Sequence, residues 1–263
     1  MDILVLMKQV PADLSHVTLT GDHTIDRTSG GPSTNPVDKN ALEAAVQLKE
    51  GAGGTVTALT VGPAKANAVL KEAAAVGADA GVRVTDDAIV GSDALATARV
   101  LAAAVRALSA EKSADLIIAG RQSFDGASAA VPAMVAELLG WTQVTNVSAV
   151  EAAGNGVVEC RQTHPYGTVR VRATLPAVIT VDEYINTPRY PSVKSKLAAN
   201  KVKFEVLDAA ALGVDAVGAG AARTRVLTAE APPARAAGTR IEGDTAQDQA
   251  TNLVAALAAA NVI

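Results

Sequence analysis

Residues 114–132 read ADLIIAGRQSFDGASAAVP, an apolar run that ends at a glycine and is followed by a polar loop. A continuous apolar run of this length predicts a strand that is buried on both faces. We expect a helix over 125–139 to follow it. In α/β proteins the start of such a helix presents backbone N–H groups that bind phosphate. The stretch therefore predicts an α/β fold with an anion site after the strand.

Similar segments on both sides of this stretch extend the pattern. Apolar runs predict buried strands at 2–7 (DILVLM), 55–62 (TVTALTVG), 81–86 (GVRVTD) and 176–183 (PAVITVDE). Helices are predicted from Pro36 to Gly51, over 63–78, and over 92–110 with Ser92 as its cap. The alternation of strands and helices indicates an open, mostly parallel sheet flanked by helices, of the kind that binds adenine nucleotides.

Two later regions depart from this alternation. Segments 143–150, 156–164 and 167–175 alternate with period two and predict an antiparallel extension. From about residue 185 onward, few strands and no helix are predicted before 244–263. We expect a nucleotide-binding α/β domain over 1–188 and a loop with an extended C-terminal arm over 189–263.

The arm has two possible interpretations, a disordered tail or a segment that packs on another protein. The closing helix places Leu253, Val254, Leu257 and Ala258 on one apolar face. An amphipathic face of this kind favours packing on a partner.

Composition excludes several classes of protein. The net charge of −4 argues against a general nucleic-acid binder. Cys160 is the only cysteine, so we expect an inert strand thiol, with neither an intrachain disulfide nor a cysteine-based zinc site. The opening MDILVLMKQVP is too short for a signal peptide, and no apolar run reaches membrane-spanning length. We expect a cytoplasmic protein.

Side-chain catalysis by this chain alone is not predicted. No Walker A, GxGxxG or HExxH string is present, and His16, His23 and His164 lack metal-ligand spacing, so no metal site is expected. Polar or glycine residues instead follow the strands where their carboxyl ends should meet, which is where open α/β sheets bind ligands. They are Lys8, Asn35, Gly62 and the stretch 120–128, in which Ser123 and Ser128 add hydroxyl donors.

A basic stretch stands out in this acidic chain. It contains Arg189, Lys194, Lys196, Lys201 and Lys203, interleaved with Tyr190, Pro191 and Val193. The charges alone are compatible with a solvated face. The apolar residues among them favour a docking surface, in which an apolar anchor is surrounded by charges that speed encounter.

Several of these segments, in order and spacing, resemble the beta subunit of electron transfer flavoproteins. They are ILVLMKQVP, TNPVDKNALEAAVQLKE, the segment from TVTALTVGPA to GADAGVRV, ADLIIAGRQSFDGASAAVP and LPAVITVDEYINTPRYPS. The resemblance covers nearly the whole chain. It implies a heterodimer in which an alpha subunit carries a redox-active FAD, and a C-terminal arm of the beta subunit packs on alpha.

The resemblance also implies a role and two sets of residues. Such a carrier takes electrons from flavin dehydrogenases, typically acyl-CoA dehydrogenases of fatty acid oxidation, and passes them to a quinone oxidoreductase or a similar acceptor. By position, the nucleotide contacts would be Leu6, Asn35, Pro36, Val37, Asp38, Val61, Gly120, Arg121, Gln122, Ser123, Phe124, Asp125, Gly126, Ala127, Ser128, Ala129, Ala130 and Val131. The docking residues would be Arg189, Tyr190, Pro191, Val193, Lys194 and Lys196.

The loop sequence bears on which nucleotide is bound. The bifurcating branch of the family reads D-G-D-T-A-Q-V-G and holds a second FAD, whereas this chain reads DGASAAVP over 125–132. Ala127 replaces Asp, Ser128 replaces Thr, Ala130 replaces Gln and Pro132 replaces Gly. Fewer side-chain donors favour AMP over a diphosphate. The alternatives are a bifurcating subunit that uses a second FAD and NADH, and an adenine-nucleotide sensor without redox partners.

Overall fold

The computed structural model describes residues 1–111, 114–230 and 237–263. These form two compact units, Met1–Leu227 and Thr228–Ile263. The division therefore comes later than the boundary that we expected after residue 188. The reason is that residues 193–207 add a helix and a strand to the first unit. Most of the predicted irregular stretch EAPPARAAG falls on 231–236, outside the described residues.

Within the described residues, nine strands form one sheet in the order β11-β5-β4-β1-β6-β10-β7-β8-β9, and β2 and β3 form a small antiparallel pair. The strands are β1 Asp2–Leu6, β2 Gln9–Pro11, β3 Pro32–Thr34, β4 Thr55–Val61, β5 Ala80–Val84, β6 Leu116–Gly120, β7 Thr142–Gly154, β8 Val157–His164, β9 Gly167–Thr174, β10 Ala177–Val181 and β11 Glu205–Leu207. Pairing is parallel from β11 to β7 and antiparallel from β7 to β9. The predicted fold class, with its antiparallel extension, is confirmed.

The helices of the first unit are α1 Pro36–Ala52, α2 Asn67–Val76, α3 Ala94–Glu111, α4 Val131–Leu139, α5 Val193–Ala199 and α6 Ala209–Leu212. Alternate residues of each central strand face opposite sides of the sheet. Val5 of β1 joins the apolar cluster under α1 and α2, whereas Leu4 joins the cluster under α3 and α4. The sheet is therefore covered on both faces, which is why its central strands read as continuous apolar runs.

The second unit contains α7, Ala246–Ala259, close to the helix predicted over 244–263. Thr245 and Asp248 form a capping box, in which each side chain accepts a hydrogen bond from the backbone N–H of the other. Leu253 and Val254 of its predicted apolar face are exposed. In neither unit is any described helix both long and apolar enough to cross a membrane.

Three local predictions are corrected. The helix α3 begins at Ala94 and is capped by Asp93, whose Oδ1 accepts from the Ala96 N–H, instead of by Ser92. The helix α4 begins at Val131 instead of residue 125, because Ala127 and Ala129 have φ of 46° and 52°, which a helix cannot contain. Lastly, the stretch predicted to contain few strands and no helix contains two helices, α5 and α6, together with the short strand β11.

Candidate nucleotide site and docking helix

The predicted nucleotide contacts begin at the carboxyl ends of three adjacent parallel strands. Leu6 ends β1 and pairs with Leu59 of β4 and Ala119 of β6. Val61 ends β4, and Gly120 ends β6. The start of α1 and the loop after β6 converge on this edge, as the hydrogen bonds between them show. The sheet thus brings together the predicted groups from distant parts of the sequence.

Asn35 fixes the loop after β6 to the start of α1. Its side chain is buried, with the residue only 1 % exposed. Its Nδ2 donates to Asp38 Oδ1 at 2.9 Å and to the Gln122 carbonyl at 3.0 Å, and its Oδ1 accepts from the Phe124 N–H at 2.9 Å. One amide thereby fixes two peptide groups of the loop relative to α1.

Asp38 lies beneath the same loop and touches the end of β6. Its Oδ2 accepts from the Lys8 N–H at 2.8 Å. A Cβ on Gly120 would lie 2.4 Å from Asp38 Oδ1 and 3.0 Å from its backbone nitrogen, so the strand can approach the helix this closely only with glycine here. Burial raises the pKa of Asp38 to about 7, although hydrogen bonds from Asn35 and the Lys8 backbone oppose the shift.

The raised pKa of Asp38 predicts a pH dependence of stability. An unfolded aspartate ionises near 3.8, whereas folded Asp38 stays protonated up to about pH 7. The folded state therefore binds an extra proton between these values, and its stability falls as pH rises through this window. Relative to Asp38→Asn, the free energy of unfolding should fall by about 1.4 kcal/mol per pH unit from about pH 5 to 7. Urea unfolding of both full-length chains measures this difference; a pH-independent difference would contradict it.

Asp125 is the centre of an ion-pair network that closes the loop. Its side chain has no exposed area and contacts Lys8 Nζ at 2.7 Å and Arg27 Nε at 3.0 Å. Lys8 Nζ also donates to Ser123 Oγ at 3.2 Å. Burial alone would raise the pKa of Asp125, but Lys8 and Arg27 hold it below its usual value. Sequence reasoning missed Arg27, which lies in a long polar loop between β2 and β3 without any motif to mark it.

The tip of the loop shows backbone conformations suited to an anion. Gly126, Ala127, Ser128 and Ala129 are exposed, and two of them, Ala127 and Ala129, are left-handed. Ala130, which follows, is right-handed. A left-handed residue next to a right-handed one turns successive N–H groups to one side, a concavity that binds anions. Backbone N–H groups suited to an anion are thus present in the loop itself, in addition to the start of the following helix, where the sequence predicted them.

The remaining predicted contacts lie around this loop. Pro36 and Val37 form the first turn of α1, Arg121 follows β6 with its N–H bonded to the Val181 carbonyl, and Val131 begins α4. Arg121 Nε is buried and has no hydrogen-bond partner among the described residues. Phe124 is exposed. The structure thus places the whole predicted set along one edge of the sheet.

The predicted docking residues are divided by the structure into two groups. Tyr190 is 96 % exposed and Val193, the first residue of α5, is 76 % exposed, and Lys194 and Lys196 are exposed beside them. Leu197, one turn after Val193, is 63 % exposed on the same helix; sequence reasoning did not single it out because no helix was expected there. Arg189 and Pro191 are instead partly buried, and Arg189 pairs with two glutamates of α1.

The geometry of the described residues also bears on possible metal ligands and on the one cysteine. In the part of the chain that the structure describes, no three His, Cys, Asp or Glu residues are placed to hold a metal ion. Cys160 is buried in β8, and burial raises the pKa of its thiol to about 11, so it stays protonated at neutral pH. The described residues thus form a loop with an exposed tip at the carboxyl edge of the sheet, and a separate short helix whose exposed side is apolar and basic.

Comparison with known proteins decides the family. A family model described as the electron transfer flavoprotein domain matches residues 22–212, which span both the loop after β6 and α5. The chain belongs to the electron transfer flavoprotein family. Within it, the chain is similar to beta subunits: it is 40% identical to the electron transfer flavoprotein subunit beta of Mycobacterium tuberculosis over 97% of this chain and 98% of that protein. The family resemblance predicted from the sequence is confirmed.

This chain is also similar to a further beta subunit of the family and to a subunit of a reductase complex. It is 37% identical to the subunit beta of Thermoanaerobacterium thermosaccharolyticum, with all of both chains covered. It is 34% identical over the same full extent to a caffeyl-CoA reductase–Etf complex subunit of Acetobacterium woodii. Family membership therefore establishes electron transfer as the general role. It does not specify the electron donor or the bound nucleotide.

Proposed function

We propose that this chain is the beta subunit of a two-subunit electron carrier, and that it binds AMP and docks a flavin dehydrogenase. An alpha subunit holds the FAD, which supplies the redox chemistry. The observation that carries this proposal is the closed loop after β6, which Asn35 and Asp125 fix against α1 and β1. The chain contributes a structural nucleotide and a recognition surface, and it acts as a carrier subunit instead of a substrate-converting enzyme.

The charge balance of the loop supports AMP as the nucleotide. Lys8 and Arg27 approach the loop from other elements, and both are already engaged by Asp125. The buried Asp38, with its pKa raised to about 7, is about half ionised at neutral pH and adds further negative charge. Neither Lys8 nor Arg27 is thus free to bind a second phosphate, which favours the single phosphate of AMP over a diphosphate. The exposed loop tip then binds that phosphate through backbone N–H groups.

The surface of α5 supports the docking role. Val193 and Leu197 present an exposed apolar ridge, and Tyr190 precedes it. Lys194 and Lys196 flank the ridge and favour an acidic partner surface. An apolar anchor surrounded by exposed charges suits a partner that binds and leaves repeatedly. Acyl-CoA dehydrogenases are the donor class that the family resemblance suggests, and a quinone oxidoreductase is the acceptor class.

A bifurcating subunit is the second candidate. The relatives support it, because an acryloyl-CoA reductase electron transfer subunit gamma of Anaerotignum propionicum is 33% identical over the full length of both chains. Asp125 and Gly126 also match the bifurcating loop. This candidate requires a second FAD in the site after β6, with NADH as the donor.

Nucleotide analysis of the purified heterodimer tests the proposal. The chain is co-expressed with its alpha subunit, the complex is denatured, and the released nucleotides are separated by chromatography. We expect one FAD and one AMP per heterodimer. Two FAD molecules and no AMP would overturn the AMP assignment and favour the bifurcating subunit. A chain that is stable alone, binds AMP and forms no complex with an alpha subunit would instead favour a nucleotide sensor.

A further inference from the structure

Arg189 makes a double ion pair with α1 that the family resemblance did not suggest. Its Nε donates to Glu43 Oε2 at 2.8 Å and its Nη2 to Glu43 Oε1 at 3.0 Å. Its Nη1 and Nη2 also donate to the two carboxylate oxygens of Glu50, at 2.6 and 2.9 Å. Glu43 and Glu50 lie two turns apart on α1, so one guanidinium bridges them on the same face of the helix.

The inner half of this bridge is buried. The Glu43 side chain is only 4 % exposed, and it also accepts hydrogen bonds from Gln47 Nε2 and from the Arg189 N–H. Burial by itself would raise the pKa of Glu43, but the hydrogen bonds from Arg189 hold it below its usual value. Since a buried carboxylate without its counter-charge is costly, Arg189 is constrained to stay on α1. Its guanidinium is therefore not free to leave α1, although 36 % of the side chain stays exposed.

The segment that Arg189 fixes leads directly into α5. Just before it, Asn40 Nδ2 donates to the Asn186 carbonyl at 2.9 Å, and Asn186 Nδ2 donates back to the Asn40 carbonyl at 3.0 Å. Just after it, Ser192 caps α5 by accepting from the Ser195 N–H. The exposed Val193 is four residues from Arg189. Contacts with α1 at Asn186 and Arg189 thus hold the segment that leads into the docking helix, and the Ser192 cap then begins that helix.

We propose that Arg189 is a positioning residue that fixes on α1 the segment leading into α5, so that α5 is held ready for partner recognition, and not a docking contact itself. This inference rests on the proposed docking role of α5. Binding a partner with a loose segment would incur the entropy cost of ordering it. A segment already held in place avoids that cost, so loss of the bridge weakens docking even though Arg189 never touches the partner.

The test compares variants on the two sides of the bridge in the purified heterodimer. The variants are Arg189→Gln, Glu50→Gln, the double variant Glu43→Gln/Glu50→Gln, and the triple variant. The measured quantities are KM for the dehydrogenase and kcat for flavin reduction. A positioning role predicts that Arg189→Gln and the carboxylate double variant each raise KM about tenfold with kcat within about twofold. The triple variant, Arg189→Gln/Glu43→Gln/Glu50→Gln, should have a KM no higher than that of Arg189→Gln or of the double variant, because all three variants remove the same bridge.

A direct docking role predicts a different pattern. The carboxylate variants would then free the Arg189 charge and leave KM unchanged or lower, while Arg189→Gln alone would raise it. That result would overturn the proposal. Lys49→Gln is the control: Lys49 lies on α1 like the two glutamates, but its ammonium donates to the Gly77 carbonyl and to Asp79 near the end of α2. Glu50→Gln, on the exposed side of the bridge, gives a milder variant that should fold normally.

Hydrogen exchange tests the positioning role of Arg189 independently of the proposed docking function. Amides from 189 to 199 should exchange faster in Arg189→Gln and in the carboxylate double variant than in wild type or Lys49→Gln. If no flavin dehydrogenase reduces the wild-type complex, the docking function fails, and exchange still decides whether Arg189 holds the segment. Unchanged exchange in both variants would overturn the positioning role.

Discussion

Replacing Asn35 by alanine should lower the free energy of unfolding by about 3 kcal/mol and release the nucleotide from the beta subunit. The substitution removes three hydrogen bonds, to Asp38 Oδ1, the Gln122 carbonyl and the Phe124 N–H, each worth about 1 kcal/mol. The buried groups left behind lose their partner, so the loop after β6 should separate from α1. Chemical unfolding measures the first effect, and AMP released on denaturing the heterodimer measures the second.

Asn67 provides the matched control for this prediction. Its Oδ1 is also buried, but it accepts no hydrogen bond from any described residue. Asn67→Ala should therefore lower stability by less than about 1 kcal/mol and leave the AMP content unchanged. Full AMP occupancy in Asn35→Ala would show that the loop holds its shape without this amide. That outcome would remove Asn35 from the nucleotide site.

Replacing Val193 by aspartate should cut the second-order rate of reduction by the dehydrogenase about thirtyfold. Val193 is 76 % exposed in this chain, so the change should not destabilise the subunit. In a docked complex, however, the aspartate would place a charge against an apolar pocket. Losing one anchor of this kind costs about 2 kcal/mol, which corresponds to that factor. Stopped-flow reduction of the heterodimer measures the rate, and the flavin spectrum shows that the redox site is intact.

Val90→Asp is the control for the docking prediction, because Val90 is 70 % exposed and follows β5, where its carbonyl accepts from the Ala219 N–H. Its reduction rate should match that of the wild type. A second variant, Leu197→Asp, should slow reduction as Val193→Asp does, because both residues lie on one ridge of α5. Equal rates for wild type and Val193→Asp would exclude α5 from donor recognition.

The sequence by itself determined the α/β class, the antiparallel extension and the edge of the sheet at which we propose the ligand site. These features are local, or they repeat with a fixed period: apolar runs for buried strands, alternation for the hairpins, and Pro36 at the first turn of α1. The family followed in the same way, because its motifs are contiguous strings. Each of these signals can be read without knowing which residues touch.

The start of α4 shows where prediction from the local sequence fails. Residues 125–130 have helix-compatible composition, yet Ala127 and Ala129 adopt left-handed conformations and delay the helix to Val131. Such conformations cost energy in isolation and persist only when surrounding contacts impose them. Here Asn35 and the Lys8–Asp125–Arg27 network supply those contacts from distant parts of the chain.

Only the tertiary structure decided what Arg189 and Arg27 do. Both are arginines in polar stretches, and the sequence suggested a docking contact for one and nothing for the other. In the fold, Arg189 neutralises a buried glutamate of α1, and Arg27 neutralises Asp125, whose side chain has no exposed area. These two ion pairs join residues about a hundred or more positions apart in the chain, and no periodicity or motif in the sequence predicts them. Electrostatic partners depend on which elements the sheet brings together, so they become visible only once the chain is folded.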